Sequence, residues 1–198
     1  MQLILAIRTH SMIYLMLFWI FLFSGCKNIS PKIEAGFLDL SGWDFRTHSI
    51  DLDGEWEFYW KRMLGPADFK GDSSLKCDYI EVPMPWKEYR LNQKKLGPYG
   101  YATYRARIKV PPGRYAMLTN KIETAFTIWV NDRKLSSVGV VGKDRQSAKP
   151  QYSNALEFFW VKEDHIEIII HVSNFRHFQS GIVRTITLGN HNLIHSQV

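Results

Sequence analysis

A strict two-residue alternation of apolar and polar side chains begins at Leu38 and recurs to the end of the chain. In "GEWEFYW" (54–60), Trp56, Phe58 and Trp60 fall on one side, and Glu55, Glu57 and Tyr59 on the other. In "YATYRARIKV" (101–110), Ala102, Tyr104, Ala106, Ile108 and Val110 alternate with Thr103, Arg105, Arg107 and Lys109. "TAFTIWVN" offers Phe126, Ile128 and Val130, and "HIEIIIHV" offers Ile166, Ile168, Ile170 and Val172 against His165, Glu167 and His171. "GIVRTITLG" closes the series. Turn residues separate the runs: Asp53-Gly54, Pro111-Pro112-Gly113, Asn131-Asp132, Gly139 and Gly142. A period of two cannot pack as a helix, and only "KRMLGPADF" accommodates one short helical turn. Many short strands between turns imply an all-β fold, and the reading is a jelly-roll β-sandwich with one core face and one wet face per sheet. The 7 Trp, 9 Tyr and 12 Phe supply a core without disulfides.

The first 25 residues follow a different rule. "MIYLMLFWIFLF" is an unbroken apolar run of 12 residues behind Arg8 and His10. A membrane-spanning helix wants about 20, whereas roughly 7–15 suits the core of a signal peptide. "FSGC" then places small residues directly before Cys26 and resembles the bacterial lipobox, with Phe23 where Leu is usual. The organisation expected is a lipoprotein signal peptide (1–25), a tether (26–36), the jelly-roll domain (37–190) and a tail (191–198). Lipid on Cys26 would anchor the domain to a membrane of the cell envelope, facing the periplasm or cell exterior. It would also leave Cys77 without a disulfide partner. Cleavage removes Arg8 and no acid, so the net charge falls from +6 to +5. The basic residues are scattered rather than striped, which argues against nucleic acid as a partner.

Five segments in order, "LDGEWEFYW", "VPMPW", "YGYATYRARIKVP", "TAFTIWVND" and "VSNFRHFQSG…LG", resemble the extracellular jelly-roll domain of bacterial seven-transmembrane receptors with diverse intracellular signalling modules. More distantly, they are similar to the sugar-binding jelly-roll of family-2 glycoside hydrolases. The resemblance covers residues 36–189, with Asp132 where the family's turn carries glycine. It implies a galactose-binding-like fold and an extracytoplasmic ligand-sensing module. The membrane helices and signalling output of those receptors lie outside these residues, so the expectation is a sensor domain of a stand-alone lipoprotein or a truncated receptor.

Catalytic chemistry finds little support. The densest acids, Asp51, Asp53, Glu55 and Glu57, include a same-face glutamate pair, but Asp53-Gly54 reads as a turn and the glutamates as solvating an outer face. Glycoside hydrolysis needs two carboxyl groups flanking one bond, and the resemblance places family-2 catalysis in a separate barrel. "DLDGE" does not continue as an EF-hand loop, because Arg62 stands at the twelfth position. Calcium held by backbone carbonyls, as a jelly-roll can hold it, stays open. His165 and His171 stand about 20 Å apart at ~3.3 Å per residue and cannot share a zinc ion.

The segment "HVSNFRHFQSG" (171–181) concentrates polar groups in one turn. Asn174 reads as the residue that bonds loop backbone, while Arg176 and His177 either solvate the loop or contact a ligand. Trp86, between Pro83-Met84-Pro85 and Lys87, either plugs the core or joins a site with Tyr99 and Tyr101. Arg105 faces outward beside them. The candidate ligand-binding set is therefore Trp86, Tyr99, Tyr101, Arg105, Asn174, Arg176 and His177, with carbohydrate or another small polar ligand as the expected partner. The alternative is an envelope lipoprotein that docks a membrane receptor or another acidic partner through Arg105, Arg107 and Lys109. No catalytic residue and no cofactor is expected.

Overall fold

The computed structural model describes residues 30–71 and 75–195. The chain divides into the units Met1–Ser30 and Pro31–Val198, and the fold described belongs to the second. The signal peptide and Cys26 lie outside the described residues. Fifteen strands follow in order: β1 (Phe37–Asp39), β2 (Ile50–Asp51), β3 (Gly54–Trp60), β4 (Asp78–Val82), β5 (Arg90–Leu91), β6 (Lys94–Lys95), β7 (Gly100–Lys109) and β8 (Gly113–Thr119); then β9 (Ile122–Glu123), β10 (Ala125–Val130), β11 (Arg133–Val138), β12 (Ala155–Val161), β13 (His165–Asn174), β14 (Gly181–Ile182) and β15 (Ile186–Asn190). A short helix, α1 (His191–His195), ends the described chain.

The larger sheet runs β11-β10-β13-β7-β3-β4, with β1 added in parallel to β7 along Arg107–Lys109. The smaller sheet runs β12-β8-β15-β2, and β9 pairs with β14 at one end of the sandwich. The chain crosses repeatedly from sheet to sheet (β2 to β3, β7 to β8, β12 to β13), the winding of an all-β jelly-roll. The alternation sets the register. Ile166, Ile168, Ile170 and Val172 of β13 are all fully buried, as are Trp56, Phe58, Tyr104, Phe126 and Ile128 on the same face. They meet Tyr115, Met117, Phe159, Ile186 and Leu188 of the smaller sheet in one core. Trp56 buries its ring completely and still satisfies its indole N–H, which donates to the Leu52 carbonyl at 2.9 Å.

Three expectations are corrected. The tether does not extend to residue 36: Ile33 is buried, its N–H bonds the Asp53 carbonyl at 2.8 Å, and its carbonyl accepts from Glu55 at 2.7 Å. Gly54 permits this approach, because at φ +122° a Cβ there would stand 2.2 Å from the Ile33 carbonyl oxygen. The tail is not free either, since Ile194 in α1 is fully buried. Finally, the outer face of the larger sheet is not wet throughout. The segment after β3 folds over it, with Leu64 N–H donating to Thr103 Oγ1 (3.0 Å) and Thr103 Oγ1 donating to the Arg62 carbonyl (2.8 Å). Ile169 on that face is fully buried in consequence.

Candidate ligand-binding site

The turn after β13 is built around one side chain. Asn174 is fully buried; its Oδ1 accepts the N–H groups of Arg176 (3.3 Å) and His177 (3.0 Å). Its amide shares two hydrogens among the carbonyls of Pro98 (2.9 Å), His177 (2.7 Å) and Gln179 (2.9 Å). Asn174 therefore holds the turn and offers a ligand nothing. The Pro98 carbonyl also accepts the indole N–H of Trp86 at 3.2 Å. Trp86 is fully buried and lies edge-on to Trp60 at 5.1 Å, so it plugs the core and is corrected as a ligand contact. Gly181 closes the turn at φ +85°, where a Cβ would stand 2.5 Å from the Tyr104 hydroxyl.

What this rigid turn presents to solvent is aromatic and basic. Phe178 is 66% exposed, with the Lys87 ammonium 3.5 Å from its ring centroid. Tyr152 is 63% exposed and meets the His177 ring edge-on at 6.3 Å. Tyr99 is 55% exposed beside Pro98, and Arg176 is exposed at the tip. Beneath His177 lies Glu123, fully buried on β9 opposite Gly181. Its carboxylate is 3.1 Å from the Lys121 ammonium and 3.5 Å from His177 Nδ1, without hydrogen-bond geometry to either. Ser180 Oγ and the Tyr104 hydroxyl are likewise buried without a hydrogen-bond partner among the described residues. Glu123 thus lies beneath the half-exposed Lys121 and His177 side chains. Lys121 in turn borders a polar groove of about 650 Å³ lined by Asp51, Asp53, Asn120, Asn154, Arg184 and Thr185, among others. Amides, carboxylates and cations around such a groove suit the hydroxyls of a sugar.

The structure thus brings Tyr99, Arg176 and His177 to one end of the sandwich. Tyr101 is half-buried within β7 rather than in a loop. Arg105 is elsewhere: five residues beyond Gly100, which pairs with Asn174, it sits ~17 Å along the strand at ~3.3 Å per residue. Its guanidinium donates to Glu167 Oε1 (Nε, 2.7 Å) and Glu57 Oε2 (Nη1, 3.0 Å) and covers the Phe69 ring at 4.3 Å. Burial works against the charge on Arg105, but the two carboxylates outweigh it and raise its pKa above the usual value. Glu57 does not solvate a face, as the sequence suggested. It is buried and accepts from Tyr59 (2.8 Å), Arg105 and Arg107 (2.9 Å) together. Of the row expected to meet an acidic partner, Arg105 is engaged by Glu57 and Glu167, whereas Arg107 gives Glu57 a single hydrogen bond and Lys109 stands 3.6 Å from Asp39 at the surface.

Lys121, Glu123, Tyr152 and Asn154 were not singled out in the sequence. Tyr152 and Asn154 stand in an unpatterned loop, and Glu123 looks like any polar residue before a strand. At the opposite end, Trp160 is also exposed and borders a groove of about 770 Å³, with the Arg114 guanidinium 4.3 Å from its ring.

No protein-family model and no curated protein matches the chain. Solved structures do. The family-2 glycoside hydrolase β-galacturonidase from Eisenbergiella tayi, bound to galacturonate, aligns with a TM-score of 0.51 at 13% identity, over 72% of this chain and 24% of that one. The β-glucuronidase from Ruminococcus gnavus in complex with D-glucuronic acid aligns with a TM-score of 0.54 at 13% identity, over 71% of this chain and 29% of that one. The chain therefore spans about a quarter of the length of these enzymes. At this identity the likeness shows the fold alone, an all-β jelly-roll sandwich.

Proposed function

We propose that the chain is a non-enzymatic, membrane-anchored extracytoplasmic module that binds carbohydrate or another small polar ligand at the β9–β14 end of its sandwich. The observation that carries this reading is the set of exposed rings, Tyr99, Tyr152 and Phe178, around a turn that Asn174 holds rigid. Exposed rings set on rigid backbone lose little entropy when a ligand stacks on them. The solved neighbours' galacturonate and D-glucuronic acid support the ligand class.

The non-enzymatic part rests on how the carboxylates are used. Glu57 takes three donors, Glu123 is sealed beneath His177, and Asp51 and Asp53 accept from Thr187 and Thr185. A glycosidase needs one carboxyl group free to deliver a proton and a second facing it. Anchorage rests on the lipobox-like "FSGC", and a sensor role on the receptor-like order of the five sequence segments.

A thermal-shift screen against neutral and acidic sugars, amino acids and Ca²⁺ tests the binding. A ligand at 100 times its Kd adds about 2.7 kcal/mol. The reading expects a sugar hit that Tyr152→Ala and Phe178→Ala weaken. A sugar hit unaffected by both, or silence across the screen, contradicts it. Metabolic labelling with a palmitate analogue, lost in Cys26→Ser, tests the anchor.

A further inference from the structure

The outer face of the larger sheet carries a second cleft, of about 480 Å³, that the sandwich-end reading does not use. Its lining includes Tyr59, Phe69, Lys70, Tyr79, Arg105 and Arg107. The volume lies in the range of small-ligand sites, roughly 300–1,000 Å³. Its chemistry is one-sided. Glu57, a carboxylate of the lining, already accepts from Tyr59, Arg105 and Arg107, three of its roughly four acceptor sites, and its charge is balanced by the two arginines. Arg105 is consumed by Glu57 and Glu167 and stacks on Phe69, so it forms wall rather than hand.

Arg107 is different. Its side chain is 50% exposed and gives Glu57 a single hydrogen bond from Nη2 at 2.9 Å. Its remaining N–H groups have no acceptor among the described residues. Lys70, 65% exposed, is held to the rim by Asp132 at 2.6 Å and keeps donors to spare. The cleft thus offers unused cationic donors beside aromatic surface, with Tyr79 exposed at its edge. An arginine fork matches a planar carboxylate in geometry as well as charge.

We propose that this cleft is a second binding site, for a small carboxylate-bearing ligand whose carboxylate pairs with Arg107 and whose ring or apolar body packs against Phe69 and Tyr79. A neutral counterpart of the same body loses the ion pair and binds weakly. The site is independent of the sandwich-end reading, because none of its lining residues belongs to the 174–181 turn.

The test titrates the full-length protein with three carboxylates, D-glucuronate, D-galacturonate and benzoate, and with glucose, galactose and benzyl alcohol as neutral counterparts. Binding is read by calorimetry and by NMR of the tyrosine rings. At least one carboxylate is expected to bind tenfold or more tightly than its neutral counterpart, more weakly at high salt. Arg107→Gln, at a half-exposed position and with folding checked by its urea midpoint, should weaken it at least tenfold. Arg107→Lys should recover part of the loss, and Tyr152→Ala at the other site should leave it unchanged. No binding by any carboxylate overturns the proposal. So does equal binding of the neutral partner, or binding that survives Arg107→Gln. A carboxylate that binds but is lost in Tyr152→Ala reassigns it to the sandwich end.

Discussion

Removing the Glu57 carboxylate should be among the costliest polar substitutions in this fold. The group has a side-chain exposure of 5% and gathers Tyr59, Arg105 and Arg107 within 3.0 Å. In Glu57→Ala, Arg107 is half-exposed and regains water at little cost. Arg105 is only 16% exposed and must rely on Glu167 alone. Breaking one partner out of a buried ion pair costs ~3–5 kcal/mol. The surviving bonds to Glu167 place this case at the lower end, about 3 kcal/mol by the same comparison. For a domain of this size that corresponds to a Tm lower by ~6–12 °C, at ~2–4 °C per kcal/mol. Differential scanning calorimetry and urea titration of Glu57→Ala measure it, with the exposed pair Lys70–Asp132 as control. A double-mutant cycle with Arg105→Ala should show a coupling of at least ~1 kcal/mol, as residues in one charged network do. If Glu57→Ala costs no more than Asp132→Ala, or the cycle shows no coupling, the buried-hub reasoning is wrong.

Asn174→Ala should cost ~2–4 kcal/mol, because it strips partners from several buried backbone groups at once; hydrogen exchange should show 174–181 opening without global unfolding, and unchanged protection there would count against it. Gly181→Ala should cost ~1–3 kcal/mol, since φ +85° and the nearby Tyr104 hydroxyl both oppose a Cβ; a neutral urea midpoint would refute this. His171 is held neutral: burial lowers its pKa below 6.5, only partly opposed by its bond to the Leu64 carbonyl and by Asp68. Its contribution is therefore full above the unfolded-state value and lost as pH falls below it. The urea midpoint should fall between pH 7 and pH 5, and His171→Gln should reduce that fall; parallel curves for the two proteins would contradict it.

The strands were legible because alternation is local. Each of Ile166, Ile168, Ile170 and Val172 declares its face by its neighbours alone, and all are buried as read. Asn174 was legible for the same reason, as a backbone-binding residue at the end of an apolar strand. The failures share a different cause, which is distance along the chain. Trp86 is buried because Trp60 closes over it, and Glu57 is a hub because arginines 48 and 50 residues later face it. Ile169 sits on a face that alternation marks as wet. It is covered because Leu64 and Arg62 return to Thr103 some forty residues away. Ile33, in a mostly polar run, gave no periodicity to read, and its burial follows from the space at Gly54. The proposed binding end was half visible: His177 and Tyr99 stood out, but Glu123 and Tyr152 reach His177 only through tertiary packing.

If the β9–β14 end binds carbohydrate, its exposed rings carry the contact. Calorimetric titration of the best sugar from the screen, on the parent protein, a Tyr152→Ala/Phe178→Ala double variant and a Trp160→Ala control, tests it most directly. An aromatic contact contributes ~0.5–1.5 kcal/mol beyond its buried area, so losing two should weaken binding by about 5- to 150-fold, at 1.4 kcal/mol per tenfold. That loss is expected in the double variant, with Trp160→Ala unchanged. Loss in Trp160→Ala, with the double variant intact, would place recognition at the opposite end and contradict it.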